Sequence, residues 1–242
     1  MADFYILIGN SNCRGSAANS GLSSAYTGTF SSIKFWTGSA YASLQKSIAN
    51  DYPTQTSDGG YIYAFLKRMQ QNRAATIYAI MHASGGTNLY SDWLPTNRGG
   101  LCDQAISTIN AALINAWNVL GIRDYKFYIC VDLGESDTDT EAHANAVAAN
   151  TTALINAITG NLNGTALVTN VKKKLVGRLG SNQTGYDFLT EVMTSQNTLS
   201  DSDTAVINQN DRELQGDGHH GTCLGYETVG ITRSDTIINN GW

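Results

Sequence analysis

Phe4-Tyr5-Ile6-Leu7-Ile8 runs without a break into Gly9-Asn10-Ser11-Asn12-Cys13-Arg14-Gly15, and this stretch decides how the chain is read. Five apolar residues make a short buried strand. The turn that follows is small and polar and holds a single serine. Open α/β sheets present reactive side chains in this way, at the carboxyl edge of a strand. Ordinary loops also begin like this, so the meaning of Ser11 depends on what other strands deliver to the same edge.

Four more segments read as strands: Thr76–Met81, Lys126–Val131, Asn170–Leu179 and Thr204–Asn208. Helical spacing separates them. Tyr61, Ile62, Phe65, Leu66 and Met69 predict a helix beginning near Gly60. Ile106, Ile109, Leu113, Trp117 and Leu120 predict one over 103–120, stopped by Gly121. Thr138 and Glu141 have the spacing of a capping box for a helix reaching about Ile158 and ended by Gly160. A further helix is expected over 186–195, and a terminal one with Tyr226, Val229, Arg233 and Ile237 on one face. Five alternations of strand and helix predict an α/β fold of three layers, α/β/α and flavodoxin-like, around a parallel five-stranded sheet. No linker divides the 242 residues, so 1–242 is read as one domain.

Composition narrows the function classes. Charged residues make up only 14% of the chain and the net charge is −5, which argues against nucleic acid as a partner. Neutral ligands such as glycans fit a surface rich in Ser, Thr, Asn and Gly. The N-terminus lacks the basic and apolar regions of a signal peptide, and no apolar run is long enough to span a membrane. The expectation is a soluble chain without a signal peptide, extracellular or virion-associated, and without membrane contact. Cys13, Cys102, Cys130 and Cys223 stand far apart, with neither zinc-site nor disulfide spacing, so no metal is expected. Residues 15–58 show no sustained period and read as a long irregular segment. Its aromatics Phe35, Trp36, Tyr41 and Tyr52 either line a sugar platform or pin the segment to the body, and the second reading is preferred.

In a parallel sheet all strand ends point one way. Ser11, Gly85-Gly86, Gly134-Glu135-Ser136-Asp137 and Asp217-Gly218-His219-His220 therefore converge on one edge. Asp217 and His220 lie three apart on a glycine-containing loop. That spacing lets the aspartate accept the Nδ1 proton of His220 and leaves Nε2 to take a proton from serine. His219 is the competitor, disfavoured because a separation of two sends side chains apart in extended backbone. By itself, Asp-Gly-His-His reads more readily as a surface turn capping the last helix.

The four blocks, Gly9-Asn10-Ser11-Asn12, Gly85-Gly86-Thr87, Gly134-Glu135-Ser136-Asp137 and Asp217-Gly218-His219-His220-Gly221-Thr222, together resemble the SGNH hydrolases. Within them the likeness is to the sialate O-acetylesterase-like and acetylxylan-esterase-like carbohydrate esterases. The resemblance implies an SGNH hydrolase fold and a catalytic set of Ser11 as nucleophile, His220 as base and Asp217 as orienting acid. It implies an oxyanion hole from the N–H groups of Ser11 and Gly86, with Ser136 standing where the superfamily has an asparagine. Asn12, Asn88 and Glu135 complete the candidate substrate contacts. Asn12 and Asn88 are alternatives to Ser136 as third oxyanion donor. Glu135 is preferentially structural, bonding backbone N–H groups of a neighbouring turn. Two positions depart from the family: Asn10 replaces a glutamine, and Leu133 replaces the glutamine before Gly-Glu, removing an amide from the edge of the site.

The implied activity is a serine esterase, a carbohydrate O-deacetylase that removes acetyl groups from an acetylated oligo- or polysaccharide without a cofactor. Two other readings stay open. One is a non-catalytic glycan-binding or virion-surface module of the same fold; retention of Ser11, Asp217 and His220 counts against it. The other is a thioesterase or lysophospholipase.

Overall fold

The computed structural model describes residues 1–18, 21–45, 58–164 and 171–242. In chain order its elements are β1 (Ala2–Gly9), α1 (Ser11–Arg14), β2 (Ala17–Ala18), β3 (Phe30–Trp36), β4 (Tyr41–Leu44), β5 (Asp58–Gly59), α2 (Ile62–Arg73), β6 (Ile77–Ala83), α3 (Leu101–Asn118), β7 (Tyr125–Asp132), α4 (Glu141–Gly164), β8 (Val171–Arg178), α5 (Leu189–Asn197), β9 (Thr204–Asn208) and α6 (Cys223–Asn239).

The central sheet runs β4-β3-β6-β1-β7-β8-β9. The expected count of five strands is therefore corrected to seven. All five expected strands are present, but the segment read as irregular contributes two more. Strand β3 lies parallel to β6, and β4 folds back antiparallel to β3. The pair lies at one end of the sheet, where Ser31, Ser32 and Lys34 interrupt the apolar run that marks a doubly covered strand. Ile33, Phe35 and Trp36 still turn inward and are buried.

Strand β1 shows why the centre was legible. Phe4, Ile6 and Ile8 face the layer of α3, α4 and α5, whereas Tyr5 and Leu7 face the layer of α2 and α6. All five are completely buried. Each such side chain contributes about 1.5–3 kcal/mol, an upper range because unfolded chains are already partly collapsed. Because both faces are covered, the period of two disappears into one continuous apolar run. Phe4 stacks on Tyr78 of β6 with ring centroids 4.8 Å apart, and Tyr5 on Tyr128 of β7 at 4.9 Å.

Register sets the functional edge. Gly9 pairs with Ala83 of β6 and with Asp132 of β7, so three neighbouring strands end on one line. Gly9 has to be glycine: a Cβ there would fall 2.3 Å from the Cys13 Cβ and 2.6 Å from the Asp132 carbonyl oxygen. That closeness lets the chain fold back immediately into α1.

Two helix boundaries differ from expectation. Helix α4 runs to Gly164, because Gly160 costs an interior helix only about 1 kcal/mol and does not oblige it to stop. At its start Thr140, not Thr138, caps: the Thr140 Oγ1 accepts from the His143 N–H at 3.2 Å, while the Thr138 hydroxyl donates to the Glu135 carbonyl at 2.7 Å. Among the described residues no helix is long and apolar enough to cross a membrane.

Candidate active site

The serine turn is held by its own asparagines. Asn10 continues the sheet by donating its N–H to the Asp132 carbonyl at 3.1 Å. Its side-chain oxygen accepts the Asn12 N–H at 3.1 Å, which starts α1 with Ser11 as the first residue. The Asn10 and Asn12 Nδ2 groups donate to the two carboxylate oxygens of Glu135, at 2.5 and 2.9 Å. Asn12 Oδ1 in turn accepts the Tyr226 hydroxyl at 2.9 Å and the Gly221 N–H at 3.3 Å. One buried turn is thereby tied to the loop after β7 and to the start of α6.

On this frame Ser11 Oγ lies 2.9 Å from His220 Nε2, and His220 Nδ1 lies 2.7 Å from Asp217 Oδ2. The Asp217 carboxylate also accepts the His219 and His220 N–H groups at 2.9 and 3.0 Å. The His220 side chain and these backbone donors hold its pKa well below the usual carboxylate range. His219 also lines the cleft, with its ring against Tyr186, centroids 4.9 Å apart. The cap of α6 is not this Asp-Gly-His-His turn: Thr222 Oγ1 accepts the Gly225 N–H at 3.1 Å.

Ser11 and His220 open onto a cleft of about 480 Å³, with Gly85, Gly86, Ser136 and Tyr186 among its walls. The glycine wall belongs to a loop fastened at both ends. Ser84 donates to the Gly9 carbonyl at 2.9 Å. Further on, the N–H groups of Leu89 and Tyr90 donate to the two oxygens of Asp137, at 2.9 and 3.0 Å. Gly86 takes φ +71°, a conformation that side-chain-bearing residues rarely adopt. Asp137 is fully buried, and burial pushes its carboxyl up to about 6, against the two N–H bonds that favour its ionised form. Stability drawn from the protonated carboxyl is therefore full below the unfolded value near 3.8 and lost as pH rises through about 6.

A hydroxyl, an imidazole and a carboxylate in series, opening on a cleft rimmed by backbone glycines, is an arrangement able to carry out acyl transfer. A family model described as carbohydrate esterase, sialic acid-specific acetylesterase, matches residues 1–239. The chain belongs to that family.

Among solved structures the esterase is similar to a protein from Arabidopsis thaliana, with a TM-score of 0.76 at 18% identity over 98% of both chains. It is similar to NanS, TM-score 0.73 and 12% identity, over 98% of this chain and 97% of that one. The carbohydrate acetylesterase Est24 from Sinorhizobium meliloti aligns at TM-score 0.59 and 14% identity over 99% of both chains. At such identities these likenesses show the fold, a central largely parallel sheet between helical layers. No curated protein matches the esterase in sequence.

Several expected site residues sit differently in the esterase. Glu135 lines the cleft, and its carboxylate accepts the side-chain amides of Asn10 and Asn12 instead of the backbone N–H groups of a neighbouring turn. Asn12 is largely buried but lines the cleft, and its amide donates to Glu135 and to the His219 carbonyl. Asn88 is not among the cleft-lining residues. Its Oδ1 accepts the Ser91 N–H and hydroxyl at 2.8 and 2.9 Å. Ser136 does line the cleft. Leu133 packs its side chain into the core, away from the edge of the site.

The aromatic platform also moves. Phe35 and Trp36 are buried, and Tyr41 packs against Phe4 and Tyr78; Tyr52 lies outside the described residues. These residues pin the segment to the body. The aromatic that does line the cleft is Tyr186, expected as a helix start but held in the loop before α5. A loop signal was present, Gly185 immediately before it.

Proposed function

We propose that the esterase removes acetyl groups from sugar hydroxyls through an acyl-enzyme on Ser11. The observation that carries the reading is the continuous contact from Ser11 through His220 to Asp217 at the mouth of the cleft. His220 Nε2 takes the Ser11 proton as Oγ attacks the acetyl carbonyl. The Ser11 and Gly86 N–H groups, with the Ser136 hydroxyl, stabilise the developing oxyanion; one such donor is typically worth about 10²–10³ in rate. His220 then protonates the departing sugar oxygen. Water, deprotonated by the same nitrogen, attacks the acyl-enzyme and releases acetate. Asp217, ionised throughout, keeps the imidazole in the tautomer that presents Nε2 to Ser11.

Acetate release from a panel of O-acetylated sugars tests this reading, with acetyl and octanoyl p-nitrophenyl esters alongside. Release from acetylated sugars is expected, with at least about tenfold preference for the acetyl ester. Binding of acetylated glycans without release favours the non-catalytic module, and preference for octanoyl favours the thioesterase or lysophospholipase reading.

The two histidines give a second test. His220→Ala is expected to lower p-nitrophenyl acetate turnover by about 10³-fold or more, because the nucleophile loses its base. His219→Ala is expected to cost about tenfold or less, because its ring contacts Tyr186 and not Ser11. The reverse ranking reassigns the base.

A further inference from the structure

Tyr90 is the one aromatic residue exposed among the described residues, at 44%. It is held rather than loose. Its N–H is bound at 3.0 Å by Asp137, which is fully buried. Its ring lies against His143, centroids 3.9 Å apart and planes 33° from parallel. His143 is fixed in turn, at the first turn of α4, by Asp139, whose Oδ1 lies 2.7 Å from Nδ1. The location follows from the chain. Ser136 and Gly86 both line the cleft; Asp137 directly follows Ser136, and Gly86 lies four residues before Tyr90.

We propose that Tyr90, backed by His143, forms an outer sugar subsite that holds the carbohydrate chain beyond the acetylated residue. This inference rests on the glycan reading above. An aromatic ring kept open to water by a rigid backing offers a flat apolar face, and the C–H face of a pyranose is its natural complement. Asp139 and His143 beside it are hydrogen-bonding groups for sugar hydroxyls. One ring among polar neighbours is far short of the roughly 800 Å² per partner that a stable protein interface buries, which favours a small polyhydroxylated ligand over a protein. Tyr186 inside the cleft and Tyr90 outside it, each against a histidine ring, would give the chain two successive supports.

The test compares acetate release from short and long substrates in two pairs. One pair is O-acetylated sialic acid free and carried on lactose; the other is O-acetylated xylose and O-acetylated xylotetraose. In at least one pair the wild-type protein should show a higher kcat/KM on the longer substrate. Tyr90→Ala should reduce that long-to-short ratio by roughly tenfold, equivalent to about 1.4 kcal/mol, mainly through KM. Tyr90→Phe should keep it, because the ring face is retained. A wild-type ratio near one in both pairs, or a ratio unchanged in Tyr90→Ala, overturns the subsite while leaving deacetylation standing. If no acetylated sugar is a substrate although p-nitrophenyl acetate is turned over, the glycan reading itself fails and the subsite fails with it.

Discussion

Ser11→Ala is expected to lower p-nitrophenyl acetate turnover by about 10⁴–10⁶-fold, the range in which nucleophile removal reduces a serine hydrolase to background. A factor of 10⁴ corresponds to about 5.5 kcal/mol of transition-state stabilisation. The effect is large because the other groups act through the nucleophile. Without Oγ, His220 has no proton to take and Asp217 orients a base with no partner. Fold and turn should survive, since Asn10, Asn12 and Glu135 hold the backbone without the serine hydroxyl. The variant should therefore melt within a few degrees of wild type, and a fluorophosphonate probe should label wild type alone. Equal hydrolysis by the two proteins would falsify the assignment of Ser11.

The largest stability effect is expected behind the sheet. Arg233 of α6 is completely buried, as an ion pair with Asp132 at the end of β7 and with its guanidinium 4.4 Å from the ring centroid of Tyr61. Asp132 also accepts the Tyr61 hydroxyl at 2.8 Å and the Gln209 amide at 3.2 Å. Arg233→Met keeps much of the volume but strands a buried carboxylate, which typically costs about 3–5 kcal/mol. For a chain of this size that is a fall in Tm of roughly 6–20 °C. Adding Asp132→Asn to the same chain should recover part of the loss, because the uncompensated charge goes with it. A fall of a degree or two for Arg233→Met, or no recovery in the double variant, would show that the pair is not coupled. Asp132 pairs with Gly9 across the sheet and its carbonyl receives the Asn10 N–H, so this buried pair also supports the start of the serine turn.

How much of this was legible depends on how local each signal is. Strands β1, β6 and β7 announce themselves because both faces are covered and every residue must be apolar. The hairpin of β3 and β4 does not, since its edge position admits Ser31, Ser32 and Lys34. The blocks around Ser11, Gly86, Ser136 and His220 follow strand ends, and parallel strands must bring such blocks to one edge. Arg233 carries a local signal without a local partner. A charged residue on the apolar face of a helix with Tyr226, Val229 and Ile237 requires a buried acid, although nothing local says it is Asp132, 101 residues earlier.

The amino-acid order alone determined that strands alternate with helices, that one serine follows the first strand, and that an aspartate precedes a histidine by three. These depend on periodicity and spacing, which a chain carries within a few residues. Tertiary structure alone decided which histidine faces Ser11, and that Glu135 binds Asn10 and Asn12. It also decided that Asn88 stands outside the cleft, that Tyr186 lines it, and that Tyr90 is exposed whereas Phe35 and Trp36 are buried. Each of these concerns the direction in which a side chain points once distant loops meet. That direction is set by contacts between residues far apart in the chain, such as Asn12 with Glu135 and Tyr90 with Asp137, which no local pattern encodes.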